Sequence, residues 1–244
     1  FRVGERVCAL LGGGGYAELV AVPEGMVLPV PEGLTMVQAA AIPEVFATSY
    51  LNLCLEGGLK TGDTVLIQAG ASGLGMAAIQ LVKALGGTVM TTVSTQEKAE
   101  FVRSLGADVV INRTTDDLCA AMDEHPVDIA LDCIGGPGFG RCLEKMAVGG
   151  RWIVIATLGG AMTELDANLL FRRGLRVIGS TLRSRTPEMK AGILAGLERV
   201  LWGAFSAGTI RPVVYAVLPM KRAEEAHAIL QNRENLGKVV LTIP

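Results

Sequence analysis

The chain has 244 residues and a formal net charge of −2, and half of its residues are hydrophobic. That length allows one large domain or two smaller ones, and the 31 glycines are expected of an α/β protein with many turns between strands and helices. The charge and the lack of a basic run argue against nucleic acid as the main partner. No uninterrupted apolar segment approaches membrane-spanning length, so we expect no membrane partner.

The cysteines and histidines are few and scattered. The five cysteines show neither C-x-x-C spacing nor a disulfide framework, a pattern that suits a reducing, cytoplasmic compartment: Cys8, Cys54, Cys119, Cys133 and Cys142. The two histidines, His125 and His227, lie in polar stretches and are expected at the surface.

Taken in chain order, the first 35 residues have the composition of β-structure. Apolar stretches at 6–11, 16–22 and 26–29 predict short strands, because glycines and prolines separate them. The chain starts with Phe1 inside a turn-and-strand pattern, without a targeting segment, and we expect a further portion of its first domain upstream. Helical patterns follow at 36–42 and 48–55, with Pro43 between them.

After residue 63, predicted strands alternate with helices. Six apolar runs predict strands at 65–68, 88–93, 109–111, 128–132, 151–155 and 176–181, and helical patterns connect them. This alternation is typical of an α/β protein with a doubly wound parallel sheet, the Rossmann arrangement. A helix at 187–202, a β segment at 213–219, a helix at 222–232 and a strand at 238–243 follow. We expect this C-terminal part to pack against the N-terminal segment.

Residues 70–75 read Gly-Ala-Ser-Gly-Leu-Gly, between a predicted strand and a predicted helix. In a strand–turn–helix unit of this kind, the backbone N–H groups at the start of the helix point at a pyrophosphate, and the missing side chains let it approach. The spacing differs from the usual G-x-G-x-x-G, but the flanking strand and helix favour a dinucleotide site.

The end of the second strand indicates which dinucleotide binds. An NAD site usually has Asp or Glu there, to accept a hydrogen bond from the ribose 2′-hydroxyl. Here Ser94 comes first and Lys98 follows one helical turn later, while Arg113 ends the third strand. Hydroxyl and cationic groups suit a 2′-phosphate, so the sequence predicts NADPH. The alternative is that both cations are solvated surface charges.

A series of short motifs resembles the medium-chain dehydrogenase/reductase superfamily, and within it the zinc-independent, ζ-crystallin-like quinone oxidoreductases. The motifs are Gly-Glu-Arg-Val at 4–7, Gly-Tyr-Ala-Glu at 15–18, Ala-Ala-Ala-Ile-Pro at 39–43, Leu-Lys-Thr-Gly-Asp at 59–63, the glycine turn at 70–75, Leu-Gly-Ala at 105–107, Gly-Gly-Arg at 149–151 and Leu-Gly-Lys at 236–238. The stretches 131–136 and 182–185 look closest to the tumour-suppressor-inducible quinone oxidoreductase branch.

The resemblance implies a domain organisation and an assembly. It implies an NADP-binding Rossmann domain over 43–199 and a partial GroES-like β domain, incomplete at its N-terminus, that both chain ends form from 1–42 and 200–244. It also implies a homodimer through the last strand of the sheet, at 176–181, since an apolar edge strand invites pairing across a two-fold axis. Arg172 and Arg173, which precede that strand, are charges that would protect the edge instead.

Zinc-dependent relatives carry a four-cysteine lobe that this chain lacks. Residues 7–15 hold one cysteine, Cys8, which cannot make a structural zinc site. The position of the third catalytic ligand is occupied by Glu44, without a nearby cysteine or histidine. The resemblance therefore implies no bound metal.

The family's cofactor contacts transfer to positions of this sequence as follows. Around the pyrophosphate the resemblance places Ala71, Ser72, Gly73 and Leu74, and at the 2′-phosphate Ser94, Lys98 and Arg113. Flanking the adenosine half it places Cys133 and Ile134, along the nicotinamide half Thr157, Leu158, Gly159, Thr181, Leu182 and Arg183, and closing over it Asn235, Gly237 and Lys238. The alternative for 157–159 is an ordinary turn after a strand.

These expectations converge on an NADPH-dependent reductase that transfers hydride to a quinone without zinc. A quinone tolerates the absence of a Lewis acid, because its accepting oxygen becomes a stabilised phenolate. The catalytic candidate is the hydroxyl of Thr48, whose alternative role is helix packing. Two further functions stay open: reduction of the C=C bond of an enone or enoyl substrate, and NADPH binding with little turnover.

Overall fold

The computed structural model describes residues 1–243, which divide into two compact units. Unit 1 contains Phe1–Tyr50, Ser72–Ala77 and the chain from Leu182 onward, and unit 2 contains Leu51–Ala71 and Ala78–Thr181. The domain limits expected from the sequence, 1–42 with 200–244 against 43–199, stay a prediction.

The elements of the described chain are as follows in chain order. The strands are β1 Val7–Ala9, β2 Val27–Pro29, β3 Thr64–Ile67, β4 Thr88–Val93, β5 Val109–Asn112, β6 Val127–Asp132, β7 Met146–Val154, β8 Arg176–Gly179, β9 Val214–Pro219 and β10 Lys238–Thr242. The α-helices are α1 Met36–Ala40, α2 Pro43–Ser49, α3 Gly73–Ala84, α4 Gln96–Ser104, α5 Leu118–Glu124, α6 Pro137–Leu143, α7 Ala167–Arg173, α8 Pro187–Ser206 and α9 Ala223–Gln231. A π-helical segment, Tyr50–Glu56, follows α2, and short 3-10 helices lie at Glu24–Met26 and Met220–Arg222. No helix among the described residues is long and apolar enough to cross a membrane.

A six-stranded parallel sheet forms the centre of unit 2, in the spatial order β5-β4-β3-β6-β7-β8. The order reverses between β3 and β6, so the sheet is doubly wound as the sequence predicts. Successive residues of β3, such as Leu66 and Ile67, are both fully buried, since a parallel sheet of this kind is covered on both faces. The core on one face is built around Trp152, whose ring stacks on that of Phe139.

Two of the short sequence motifs, those at 59–63 and 149–151, stabilise the sheet through an ion pair. Arg151 donates from Nε to the carbonyl oxygen of Gly57 at 2.8 Å and from its guanidinium to Asp63 at 2.9 Å. Both charged side chains are mostly buried, at 17% and 16% exposure, so each needs the other as a partner. This ion pair links the middle of β7 to the turn before β3.

Unit 1 joins the two ends of the chain. β1 pairs with β2 in antiparallel fashion, β9 pairs with β10 in parallel, and α1 contacts both β9 and β10. On α8, the Trp202 indole donates to the carbonyl oxygen of Pro29 at 3.0 Å, and Phe205 packs edge-on against Phe46. The expected return of the C-terminal part to the N-terminal segment is confirmed.

One predicted strand is wrong, and several boundaries shift. Residues 16–22 form no strand, and the sheet of β1 and β2 contains no third strand. Within the segment Leu19 is 90% exposed, while Tyr16 donates to or accepts from His227 at 2.7 Å. Pro43 is the first residue of α2, so the second helix starts five residues earlier than the predicted 48, as the fixed φ of proline permits at a first helical position. β7 starts at Met146 rather than at 151.

The expectation that the cysteines form no disulfide is also wrong for one pair. Cys119 and Cys142 are joined by a disulfide, which connects α5 to α6 across a sequence separation of 23. Spacing alone does not reveal such a pair, since connectivity depends on how helices pack. Cys8, Cys54 and Cys133 remain thiols.

Candidate functional site

The turn after β3 leaves no room for a side chain at Gly70, in its unit 2 part. A Cβ on Gly70 would lie 2.1 Å from the Thr91 hydroxyl oxygen, which donates to the carbonyl oxygen of Ile67. Ala69 adopts a left-handed φ of 57° and donates its N–H to the Thr92 hydroxyl at 3.0 Å. These contacts bend the chain sharply at the carboxyl edge of the sheet, where ligands of doubly wound folds bind.

The start of α3 belongs to unit 1 and is capped by Ser72. The Ser72 hydroxyl accepts from the N–H of Gly75 at 3.0 Å, and its carbonyl oxygen accepts from Met76 at 2.9 Å. The first N–H groups of a helix have no carbonyl partner within the helix and carry the positive end of its dipole. The turn therefore presents backbone donors of the kind that bind a phosphate.

The structure brings the C-terminal candidates of unit 1 to this same turn. Ser72 and Gly237 form a parallel bridge, and the amide of Asn235 donates to the carbonyl oxygen of Gly237 at 2.8 Å. A Cβ on Gly73 would lie 2.5 Å from Cδ of Lys238, so the lysine stem lies directly over the turn. The five predicted contacts thus lie together, although they come from opposite ends of the chain.

Lys238 is a half-buried cation at the turn. Burial lowers the pKa of its ammonium group, and the negative charge of Glu44 opposes that effect by favouring the charged form. Glu44 in turn accepts a long hydrogen bond, 3.5 Å, from the hydroxyl of Thr48. The catalytic candidate Thr48 is thus placed beside a carboxylate on α2, with which Lys238 interacts electrostatically.

In unit 2, the ends of β6 and β7 form a second cluster of predicted contacts. Leu158 donates to the carbonyl oxygen of Cys133 at 3.1 Å, and Gly159 donates to that of Ile134 at 2.7 Å. The two segments therefore run side by side beyond the sheet, with Thr157 exposed at the start of the turn. This pairing sets the turn apart from an ordinary exit loop, although its role in binding stays a prediction.

Burial raises the pKa of the Cys133 thiol to about 11, with a further contribution from the negative charge of Asp132. The thiolate is the reactive form of cysteine, and it is scarce at neutral pH when the pKa lies so high. Cys133 is therefore suited to contact a ligand without reacting with it.

The three candidates for the 2′-phosphate follow neighbouring strands. Ser94 comes directly after β4, and Thr95 caps α4 by accepting from the N–H of Lys98 at 3.2 Å. Arg113 follows β5, donates its N–H to the carbonyl oxygen of Val93 at 2.9 Å and has an exposed side chain. The structure therefore places them at one edge of the sheet.

The last nicotinamide candidates follow β8. Thr181 ends unit 2 with an exposed side chain. In unit 1, Leu182 is buried, and the carbonyl oxygen of Arg183 accepts from the Lys190 ammonium at 2.9 Å. Among residues 1–243, no three His, Cys, Asp or Glu side chains lie close enough to hold a metal ion.

The sequence patterns did not point to two further candidate functional residues, Asp132 and Ser180. Asp132 is fully buried and accepts from the N–H groups of Ile134 and Gly135 at 2.7 and 3.0 Å, which holds the turn after β6 in shape. Its acidic residue type in an apolar strand was the signal that could have found it. Ser180, directly after β8, is buried, and no local pattern distinguishes it.

Comparison with known proteins identifies a matching family and several relatives. A family profile described as zinc-binding dehydrogenase matches residues 73–198. The quinone oxidoreductase of Sus scrofa is 30% identical over all of this chain and 74% of its own length. The lovastatin diketide synthase lovF of Aspergillus terreus is 31% identical over 99% of this chain, which spans 10% of that protein.

The similar solved structures include the same kind of protein as these relatives. The quinone oxidoreductase of Thermus thermophilus, also solved in complex with NADPH, superposes with a TM-score of 0.85 and 34% identity over 99% of this chain and 78% of its own. The chain spans about two thirds of the length of several other relatives. It belongs to the zinc-binding dehydrogenase family of the medium-chain dehydrogenase/reductase superfamily and is quinone oxidoreductase-like.

Proposed function

We propose that the protein is an NADPH-dependent oxidoreductase that transfers hydride to quinones without a metal ion. The observation that carries this proposal is the close approach of Lys238 to Gly73 at the start of α3, where a Cβ would lie 2.5 Å from the lysine side chain. Backbone donors of a helix start and the ammonium group of a half-buried lysine together suit a diphosphate. The relationship to NADPH-binding quinone oxidoreductases supports the same cofactor.

The residues present fit NADPH at both of its ends. Ser72 and Gly73 would hold the diphosphate, while Ser94, Lys98 and Arg113 would hold the 2′-phosphate. A carboxylate that would repel this group is missing from the end of β4, where Ser94 stands instead. We therefore favour NADPH over NADH.

When bound, NADPH supplies the hydride, and this chain's residues orient the reactants and exclude water. The turn after β7 would line the nicotinamide half and the turn after β6 would flank the adenosine half, while Thr48 is the hydroxyl offered to the reacting oxygen. Developing negative charge on that oxygen needs hydrogen bonds or intrinsic stabilisation when no metal ion is present. A quinone provides such stabilisation, which is why we place quinones first among substrates.

The similarity to a polyketide synthase supports a second substrate class. This chain is 31% identical to a segment of that synthase. Enoyl reduction also adds hydride to a conjugated acceptor, so the same site would serve an enone or an enoyl thioester. This reaction is our alternative.

The test is NADPH oxidation measured against three panels: quinones, enones and enoyl thioesters. We expect turnover with quinones to exceed that with both other classes. Gly70→Ala, which forces a Cβ onto the Thr91 hydroxyl, should abolish turnover, while Gly138→Ala, with nothing within 4 Å of its Cβ, should leave it unchanged. Faster turnover with enoyl thioesters would establish the alternative, and no turnover with any panel would leave a binding protein.

The absence of metal is tested separately. Elemental analysis of the active protein should find less than stoichiometric zinc, and a chelator should leave activity unchanged. Stoichiometric zinc that is lost together with activity would contradict the proposal and would point to Glu44 as a ligand.

A further inference from the structure

Ser180 carries a buried hydroxyl without a partner. The residue is 8% exposed, and its Oγ atom makes no hydrogen bond to any of residues 1–243. A serine hydroxyl offers one donor and two acceptor sites, and native proteins satisfy nearly all buried groups of this kind. Leaving it unpaired is unfavourable, so the hydroxyl requires a partner that the folded chain does not supply.

The sheet register shows where this hydroxyl lies. β7 and β8 pair in parallel with Ile153 opposite Ile178, and the N–H of Ser180 continues the ladder by donating to the carbonyl oxygen of Val154 at 3.0 Å. Side chains alternate along a strand, so Ser180 lies on the same face of the sheet as Ile178 and Ile153. It is the last position of that row at the carboxyl edge.

The candidate nicotinamide contacts of unit 2 lie next to Ser180 in the fold. Thr181 follows it directly in the chain, and residues 157–159 follow β7, the strand that pairs with β8. Leu158 bonds to the carbonyl oxygen of Cys133 just beyond the sheet. Ser180 therefore stands at the edge where the ring end of the dinucleotide is expected.

We propose that the Ser180 hydroxyl binds the carboxamide of the nicotinamide ring, an inference that rests on the proposed function. The carboxamide has an acceptor oxygen and a donor nitrogen, and a hydroxyl matches either one. A ligand group that satisfies a buried hydroxyl gains the full benefit of the bond, because the hydroxyl has already lost its contact with bulk water. Ser180 is then a positioning residue that sets the orientation of the ring.

The test compares two ligands that differ only in the presence of the nicotinamide ring. NADPH carries the nicotinamide, whereas 2′-phospho-ADP-ribose keeps the adenosine, the 2′-phosphate and the diphosphate but lacks the ring. We expect Ser180→Ala to weaken NADPH binding by about threefold to tenfold, the range of a typical hydrogen bond. Binding of 2′-phospho-ADP-ribose should stay unchanged, measured for both by calorimetry.

Two controls separate a local contact from a general defect. Without ligand, Ser180→Ala should be at least as stable as the parent in urea, because it removes an unpaired polar group. Ser104→Ala, whose hydroxyl donates to the carbonyl oxygen of Phe101 on α4, should leave the binding of both ligands unchanged.

Each outcome decides the matter. Equal weakening of both ligands, or of neither, by Ser180→Ala would overturn the proposal, and the second result would assign the hydroxyl to a buried water. A parent protein that binds 2′-phospho-ADP-ribose as tightly as NADPH would overturn it too, since the ring would add nothing. A parent that binds neither ligand would overturn the proposed function itself.

Discussion

The indole N–H of Trp152 donates to Oδ2 of Asp132 at 2.9 Å, and both side chains are fully buried. The other carboxylate oxygen accepts from the N–H groups of Ile134 and Gly135. A tryptophan of β7 thereby holds the carboxylate that shapes the turn after β6. The core of unit 2 and the turn that carries Ile134, a candidate contact of the adenosine half, are thus parts of one hydrogen-bonded network.

Asp132→Asn should lower the free energy of unfolding by about 1–3 kcal/mol, because one amide oxygen cannot replace two carboxylate oxygens and its NH2 group faces another donor. Trp152→Phe should cost a similar amount, since it leaves Oδ2 without its donor. Urea unfolding of each variant measures both effects. Glu124→Gln, at an exposed position of α5, is the control.

Asp132→Asn should also weaken the binding of NADPH and of 2′-phospho-ADP-ribose to a similar extent, because the turn it shapes is expected beside the adenosine half, which both ligands carry. A variant with parental stability and parental affinity would show that the backbone alone holds this turn.

The six strands of the sheet were predictable from sequence because each is a short apolar run between turn residues. Local pattern is enough there, since both faces of the sheet are buried and every strand residue contributes to the core. Residues 16–22 show the opposite case. Their composition suits a strand, but a strand forms only where a neighbour offers hydrogen bonds, and that depends on residues distant in sequence.

The residues of the candidate site likewise fall into those that the local sequence predicts and those that depend on distant residues. The glycine turn and the residues after β4 and β5 could be predicted, because they follow directly from strand and helix ends. The role of Asp132 could not, since its indole partner is 20 residues away. The unpaired hydroxyl of Ser180 was equally hidden, because burial of a particular serine depends on the packing of the whole unit.

The disulfide between Cys119 and Cys142 gives a test of stability. Closing a loop of this length, 23 residues apart, restricts the unfolded chain and is worth about 3 kcal/mol in the chain-entropy treatment. We therefore expect Cys119→Ser to lower the free energy of unfolding by roughly that amount, and dithiothreitol to bring the parent to the same value.

A thiol count provides the check on this interpretation. Under non-reducing conditions the unfolded parent should show three free thiols, those of Cys8, Cys54 and Cys133. Five thiols would mean that the bond is not formed in the isolated protein, and the stability difference of Cys119→Ser would then have to come from packing at position 119 alone.

Lys98 gives a test of cofactor choice. A hydrogen bond to a charged group contributes about 1.5–3 kcal/mol, which solvent reduces at a half-buried position, so Lys98→Ala should weaken NADPH binding about tenfold. NADH lacks the 2′-phosphate, so its dissociation constant should hardly change. Lys60→Ala removes the same charge before β3, at the opposite edge of the sheet, and should affect neither cofactor. Equal dissociation constants for NADPH and NADH in the parent would contradict the choice.

The edge strand β8 gives a test of assembly. It is the last strand of the sheet, and Val177 within it is 39% exposed, beside Phe171 of α7 at 72%. Arg173 does not protect this edge, as the sequence allowed, because its guanidinium donates to the carbonyl oxygens of Glu144 and Met146. An apolar edge of this kind favours pairing with a second copy across a two-fold axis.

We therefore expect a homodimer at micromolar concentration, measured by light scattering. Val177→Lys should shift it toward monomer, because the substitution places a charge at the pairing edge. Val200→Lys on α8 changes a valine of nearly equal exposure, 38%, and should leave the dimer intact. A monomeric parent would end the idea of this assembly, and equal dissociation by both variants would show that the contact surface lies elsewhere.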